Sequence, residues 1–391
     1  MAVNDLTLNQ VSTVLAEVVS QATGQKEKAP ITTGDFVTVG QKALKVGYDP
    51  ILNSISQVLS RTIFSVRPYS QHFKGMEMDS REYGNMIRKL TITDDGFEDD
   101  ARYTLEDGQS IDMFKVKKPN VLQLNFYGAN VFEKQSPTIF KDQLDTAFSS
   151  PEEFQRFISM LMTNATDQIA QAKEDMARMT IANFIGGKVK GDANNVIHLL
   201  TEYNAKTGLT LDAQSVYKPE NFPAFMKWVY SRIATITSLM TERSLKYHIN
   251  VTDHAVMRHT PLTEQKVYLY APAQFETQTQ VLSDIYNVNY LKLADNEAVN
   301  FWQSINTPAS ISVKPTYLTP AGTLTTETEE VAVDNIFGVI FDREAMGINS
   351  VNEWSASTPF NAKGGYSNIF WHFTINYWND FTENGVVLLL N

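Results

Sequence analysis

Ser150-Pro151-Glu152-Glu153 opens the stretch that decides the fold, and Gly186-Gly187 closes it. The serine is a typical helix cap, the proline suits the first helical position, and Glu153 lies three residues after the serine, as in a capping box. Mostly apolar positions then recur at steps of three and four, which predicts a single stripe along a helix. These positions are Phe154, Phe157, Ile158, Leu161, Ala165, Ile169, Ala172, Met176, Thr180 and Phe184. We expect the two glycines to end this helix.

A helix over residues 151–185 spans about 50 Å at 1.5 Å per residue, which exceeds the width of a compact domain of ordinary size. Its other side is polar, with Arg156, Asn164, Gln171, Lys173, Glu174 and Arg178. The pattern therefore predicts a spine helix laid across a sheet.

Composition limits the classes of function. The chain has 391 residues, a hydrophobic fraction of 43%, a formal net charge of -11 and no cysteine. The hydrophobic fraction is ample for a core, and the negative charge argues against binding nucleic acid by neutralising phosphates. Without cysteine, disulfides and thiolate chemistry are excluded. No apolar run approaches the length of a membrane span, and no export signal is apparent, so we expect a cytoplasmic product.

The N-terminal region predicts a helix over residues 6–22, followed by a polar link over residues 24–30. Such a tethered helix has no core of its own. It can fray, pack on a neighbouring subunit, or dock onto its own domain, and the sequence leaves these alternatives open. Asp49-Pro50 begins a second helix, which ends before Pro68.

Residues 85–93 and 111–127 predict two strands, with clear alternation in the second. Turn signals at Asp95-Gly96 and Asp107-Gly108 lie between them. The connection carries acids and the returning strand carries lysines: Asp94, Asp95, Glu98, Asp99, Asp100, Lys115, Lys117 and Lys118. A long, charged hairpin suits an arm that lies on a neighbouring subunit, and these residues are the candidate contacts. A solvated hairpin whose charges protect an exposed edge explains the pattern equally well.

The rest of the chain mixes helices and strands, which predicts layers around a central sheet. We expect a helix over 220–242, a short helix over 275–286, and exposed loops over 319–330 and 352–367, the second a projecting tongue. The expected strands are 247–251, 266–270, 335–341, 368–378 and 385–390. The last of these is wholly apolar and should be buried in a sheet.

The sequence contains few candidates for catalytic or metal-binding residues. His248, His254 and His259, with Asp253 among them, match no zinc spacing. The acidic connection lacks the ligand spacing of a calcium hand, and the glycines near 187 lack a Walker pattern. The sequence therefore predicts no catalytic, cofactor-binding or metal-binding residue, and no enzyme.

The order of these parts resembles the major capsid protein fold of tailed bacteriophages, named after phage Hong Kong 97. The sequence is most similar to major head proteins of short-tailed podoviruses of the phi-twenty-nine kind. The resemblance lies in Lys118–Val121, the approach Asp142–Phe148 into the spine helix, and Phe381–Val387 after the aromatic strand. The phi-twenty-nine head protein carries a further immunoglobulin-like domain, which we do not expect here. Some relatives cross-link lysine to asparagine between subunits, and the resemblance does not assign this to Lys115, Lys117 or Lys118.

The resemblance implies an α+β fold with named parts. These are an N-terminal arm (1–48), a peripheral domain (49–69 and 129–190, with the spine helix 151–185), an extended loop or hairpin arm (70–128), an axial domain (191–334), and return strands (335–391) with the tongue (352–367).

The implied function is that of a structural major capsid protein, a homo-oligomer that self-assembles through pentamers and hexamers into an icosahedral capsid around double-stranded DNA. It implies scaffolding and portal proteins as partners, no sequence-specific DNA contact, no membrane, and a virion assembled in the host bacterial cytoplasm. Two alternatives stay open: the shell of an encapsulin-type nanocompartment, or a soluble α/β enzyme with a site near His248–His259.

Overall fold

The computed structural model describes residues 8–26, 28–30, 32–61, 72–78, 87–93, 100–103, 105–111, 113–114, 116, 118–126, 128–135, 138–252, 254–272 and 295–391. Within these ranges the helices are α1 (Leu8–Thr23), α2 (Thr33–Val46), α3 (Tyr48–Arg61), α4 (Lys141–Ala147), α5 (Pro151–Gly191), α6 (Leu199–Thr207) and α7 (Phe222–Met240). The strands in the first half are β1 (Ile87–Ile92), β2 (Val121–Phe126), β3 (Ala129–Gln135), β4 (Ile139–Phe140) and β5 (Val196–His198). Those that follow are β6 (Gln265–Tyr270), β7 (Asp295–Val299), β8 (Ile311–Val313), β9 (Thr316–Leu318), β10 (Leu324–Thr326), β11 (Val331–Val333), β12 (Ile336–Asp342), β13 (Met346–Ser357), β14 (Tyr366–Ser367), β15 (Ile369–Asn379) and β16 (Gly385–Leu389).

The spine helix α5 begins where its sequence predicts. The Ser150 hydroxyl accepts a hydrogen bond from the Glu153 backbone N–H at 3.2 Å, and Pro151 occupies the first turn. The helix packs across β13 and β15, so the predicted placement of a spine across a sheet is confirmed.

The predicted end of this helix is wrong, because α5 continues through both glycines to Gly191. A Cβ atom on Gly186 would lie 2.9 Å from Val313 Cγ2, and one on Gly187 would lie 2.5 Å from Phe381 Cζ. These glycines therefore serve close packing inside the helix rather than termination, which a sequence pattern does not distinguish.

A five-stranded sheet, in the order β5-β16-β12-β6-β7, forms the second centre of the fold. Every residue of β12 and β16 is buried, so the burial expected for the last strand is confirmed. Val386 and Leu388 pack with α6 and α7 on one face, while Val387 and Leu389 pack with α5 on the other. Helix α7 and strands β6, β12, β15 and β16 lie where they are predicted to within about two residues, the usual uncertainty of element ends.

A three-stranded sheet, β13-β15-β3, lies against α3 and α5. Strand β13 runs to Ser357, so the expected tongue over 352–367 is wrong in its first half. The following loop contacts α3 at Phe360, whose ring stacks on Tyr48 at 5.2 Å and whose backbone N–H donates to the Asp49 carboxylate at 2.5 Å, while residues 361–364 are exposed. The aromatic contact with α3 stabilises this loop, whose polar sequence predicts an exposed segment.

The described part of the expected N-terminal arm docks onto its own chain. Val11, Leu15 and Val18 of α1 are buried in one cluster with Phe36 of α2 and Phe154 of α5. Of the alternatives for the first helix, docking on its own domain is the one the structure adopts. Helix α2 is not predicted, although Thr32 and Asp35 form a reciprocal capping box at its start.

Two smaller predictions need correction, and a third concerns residues outside those described. Residues 247–251 do not form a strand: 247 and 248 are bends, with Tyr247 at φ 70°, and Val251 forms an isolated bridge with His254. The segment 319–330 is not a plain loop, because β10 within it pairs with β9. The short helix expected over 275–286 lies outside the described residues.

We predict that Gly187→Ala lowers the free energy of unfolding. Overpacking costs about 1–3 kcal/mol, whereas alanine gains up to about 1 kcal/mol over glycine in a helix, so the net loss should be about 1 kcal/mol or more. Urea unfolding of the purified subunit, followed by circular dichroism, measures it. Gly34→Ala in α2 is the matched control, since its Cβ would have its nearest neighbour at 3.9 Å. Equal stability of the two variants would contradict this account of Gly187.

Candidate functional site: the hairpin arm and its groove

We call the chain from Ile87 to Phe126 the hairpin arm. Its strands β1 and β2 pair antiparallel, with Ile87 opposite Phe126 and Ile92 opposite Val121. The prediction of a hairpin is therefore confirmed, but the start of its second strand at residue 111 is wrong by ten residues. Alternation indicates which side chains share a face, but a strand also needs a hydrogen-bonded partner. No strand forms at residues 111, 113, 114 and 116, the part of residues 111–117 that the structure describes.

The far end of the arm projects from the body. Between residues 100 and 120, every side chain whose burial the structure describes is exposed. Several are large and apolar: Tyr103 is 86% exposed, Met113 81%, Phe114 80% and Val116 82%. Large apolar side chains at such exposure mark an interaction surface rather than a folded core.

The charged residues predicted as contacts are only partly described. Asp94, Asp95, Glu98, Asp99, Lys115 and Lys117 lie outside the described residues, so their role stays a prediction. Asp100 accepts from Arg102 Nε at 2.8 Å, and these hydrogen bonds hold the pKa of Asp100 below its ordinary value. Lys118 is exposed.

The base of the arm is fixed by ionic contacts that the sequence analysis does not anticipate. Lys89 Nζ of β1 lies 2.9 Å from Asp380 Oδ2 and 3.1 Å from Glu344 Oε2, and it also pairs with Glu383. The carboxylates of Asp380 and Glu383 are almost fully buried. A buried carboxylate needs a paired cation, so Lys89 binds the arm to the turn between β15 and β16.

A second cation completes this contact. Arg258 Nη1 lies 3.1 Å from Glu383 Oε1, its Nε donates to the Thr382 carbonyl, and its Nη2 donates to the Thr91 hydroxyl of β1. Arg258, in the segment that precedes β6, therefore joins the same turn to the arm, and its planar guanidinium suits this multiple role.

The turn itself, Asp380–Asn384, is held by its own hydrogen bonds. Asp380 Oδ1 accepts from the backbone N–H and the hydroxyl of Thr382. Asn384 Nδ2 donates to the Thr260 hydroxyl at 3.1 Å, and that hydroxyl donates to Asp342 Oδ2 at 2.6 Å. We call Lys89, Arg258, Glu344, Asp380 and Glu383, together with this turn, the arm anchor.

Burial and charge act in opposite directions within the arm anchor. Burial alone would lower the pKa of Lys89, but the Asp380 and Glu383 carboxylates outweigh it, and the net pKa is raised. Burial raises the pKa of Glu383 despite Lys89 and Arg258, and it also raises the pKa of Asp342. Lys89 is thus firmly charged, and its loss would leave carboxylates that are costly to ionise.

A groove of about 720 Å³ lies beside β2. It is lined by Gln123–Phe126 of β2, by Met179, Thr180 and Asn183 of α5, and by the β9-β10 hairpin with residues 313–314. Residues 377–381, which include Asp380 of the arm anchor, also line it. The groove therefore borders both the arm and the spine helix.

The three histidines do not form a site. His248 is buried, with its ring nitrogens near the Val256 carbonyl and Asn384 Oδ1, and burial lowers its pKa. His254 is partly exposed and His259 is exposed, while Asp253 lies outside the described residues. Within the part of the chain that the structure describes, no three acidic or histidine side chains gather as a metal site requires.

The described helices include none whose length and apolar character would let it cross a lipid bilayer.

Comparisons with known proteins bear on the whole chain. The family model described as Phi29-like phage major capsid protein matches residues 14–389. The capsid structure of Staphylococcus phage Andhra is similar over 84% of this chain and 87% of that chain, with a TM-score of 0.56 and 9% identity. A structure of head fiber and inner core protein gp22 of native bacteriophage P68 gives a TM-score of 0.55 at 9% identity, with the same two coverages. No curated protein matches by sequence.

We predict that Lys89→Met destabilises the subunit by about 3 kcal/mol, the cost of breaking a buried ion pair by removing one partner. Urea unfolding of the free subunit measures the change. Lys118→Met makes the same replacement at an exposed position of the arm and should cost less than about 0.5 kcal/mol. Similar losses in the two variants would contradict an anchoring role for Lys89.

We also predict that this stabilisation disappears in alkali. A lysine whose folded-state pKa is raised stabilises the protein fully below its ordinary pKa of 10.5, and the contribution is lost as pH rises through the folded-state pKa. The difference in unfolding free energy between wild type and Lys89→Met should thus be constant from neutral pH to about 10.5 and narrow as the pH rises further. Urea titrations at stepped pH test it. A difference that persists unchanged in strong alkali would refute the assignment.

Proposed function

This chain belongs to the family of Phi29-like phage major capsid proteins, and we propose that many copies of it close into an icosahedral phage head through pentamers and hexamers. Its structural role in a capsid and its Hong Kong 97-type fold follow from the family match and from the similar capsid structures. The resemblance and the fold class predicted from the sequence are thereby confirmed. The family match favours a phage head over an encapsulin-type nanocompartment or a soluble enzyme.

The observation that carries the proposed assembly is the exposed end of the hairpin arm. Phe114 and Val116 are at least four-fifths exposed in the single chain. Burying an apolar side chain of this size contributes about 1.5–3 kcal/mol, which a free subunit forgoes. In a shell, identical copies lie side by side, so each arm can bury these side chains on its neighbour.

The parts of the subunit follow from this proposal. We assign residues 49–69 and 129–190 to a peripheral domain, supported by the packing of α5 on β13 and β15. We assign 191–334 to an axial domain, supported by the separate cluster of α6 and α7 on the five-stranded sheet. The hairpin arm lies in sequence between the two segments of the peripheral domain, and the arm anchor fixes it to Arg258 of the axial domain and to the return strands.

The cargo and partners are part of the same proposal. A net charge of -11 suits a wall that encloses double-stranded DNA without adhering to it. Absence of cysteine suits assembly in the reducing cytoplasm of a host bacterium. Scaffolding and portal proteins are the further partners we propose, and the finished protein would reside in the virion.

Assembly is tested by expressing the chain with its genomic neighbours and examining the product by size exclusion and negative-stain electron microscopy. We expect closed shells, or rings of five and six. The variant Val116→Asp should abolish them, because its carboxylate would be buried unpaired in the contact.

Ile305→Asp is the control for that variant, since Ile305 is similarly exposed, at 76%, but lies outside the arm. It should leave shells intact. A wild-type chain that stays monomeric at low and high salt would overturn the proposed function.

A further inference from the structure

The hairpin arm has a strand edge whose backbone groups are not paired with another strand among the described residues. The Thr93 backbone N–H donates to the Asn120 carbonyl at 2.9 Å, so these two residues form a hydrogen-bonded pair. Such pairs alternate along an antiparallel ladder, which makes Leu90 and Gln123 a non-hydrogen-bonded pair. Their backbone groups therefore point away from each other, to the two outer edges of the hairpin.

The outer edge of β2 faces the groove. Four consecutive residues, Gln123–Phe126, line it, although successive side chains point to opposite faces of the strand. A pocket that touches both faces must lie along the edge between them. Among the described residues, no backbone carbonyl accepts from the outward N–H groups of Gln123 and Asn125.

The same arm carries a segment with a strand pattern and no strand. Residues 111–118 alternate so that Phe114 and Val116 share one side of an extended chain, and Lys115 and Lys117 share the other. The structure forms no strand at the described residues of this segment, and their apolar side chains are exposed.

We propose that the segment around Met113–Val116 of one copy adds as a strand to the β2 edge of a second copy, within the groove. This inference rests on the proposed shell and specifies one contact in it. Backbone hydrogen bonds to the edge would provide affinity, as in other cases of strand addition. Phe114 and Val116 would face the apolar side chains of the groove, among them Met179, Leu318 and Leu324, and the lysines would face solvent.

The chain lacks cysteine, so engineered cysteines report this contact without background. Val116→Cys and Leu324→Cys are placed in separate chains, which are co-assembled and treated with a short bismaleimide. Both positions are exposed in the single chain, at 82% and 69%. We expect a cross-linked dimer in shells that contain both variants. Each variant assembled alone, and Val116→Cys with Ile305→Cys, are the controls and should give none.

Two proline variants test the edge itself in the cysteine-bearing chains. Gln123→Pro removes an N–H that points into the groove, whereas Leu90→Pro removes the equivalent N–H on the opposite edge, and neither breaks a β1-β2 hydrogen bond. We expect loss of the cross-linked dimer with the first and its retention with the second.

The outcomes separate this inference from the proposed function. Intact shells without the Val116–Leu324 cross-link would overturn the strand addition and leave the capsid role standing. A double variant, diluted with wild-type chains, that cross-links internally without dimers would place the segment in its own groove and also overturn it. Absence of any shell or ring would instead count against the proposed function.

Discussion

The structure of the subunit depends on two buried carboxylates that need paired cations. Asp380 and Glu383 lie in a turn that is almost wholly buried, where an unpaired carboxylate is unfavourable by several kcal/mol. Lys89 and Arg258 satisfy them from two different parts of the chain. Correct pairing therefore requires that the arm and the β5-β16-β12-β6-β7 sheet both meet this turn, so one ionic contact sets the relative position of both. The adjacent Phe381 extends this control to the spine helix, because its ring stacks on Phe184 at 5.4 Å.

Much of the fold can be predicted from the sequence, because in those elements the local sequence pattern agrees with the long-range packing. The cap at Ser150 and the stripe after it define the start of α5, and unbroken apolar runs define β12 and β16. The signals fail where one residue type serves two purposes. Gly187 predicts the end of the spine helix, but its missing side chain instead leaves space for the Phe381 ring. Ile111–Val116 reads as a strand, but its partner is not in the described part of this chain. Strand β13 is missed because Pro359 and Gly364-Gly365 suggest a loop.

The contacts of the hairpin arm are harder to predict from the sequence than the fold, for a physical reason. The charge pattern of the arm draws attention to its acidic connection and its lysines, of which Asp100 and Lys118 are described. The arm anchor instead joins residues nearly three hundred positions apart, Lys89 and Glu383. Nothing local marks that pairing except a lysine on the inward face of an alternating strand. The turn Phe381–Gly385 is part of the family resemblance, yet only the structure shows that it holds the arm.

The position of β16 also constrains how the protein is made. This strand lies between β5 and β12, and Val387 pairs with Val196 on one side while Val386 pairs with Ile340 on the other. A nascent chain that has not reached these residues cannot close the sheet, and leaves apolar faces of β5 and β12 without their neighbour. Such high contact order slows folding and prolongs the exposure of aggregation-prone surface. The subunit therefore completes its fold only after synthesis of β16, so the growing chain is more exposed to aggregation than the finished one.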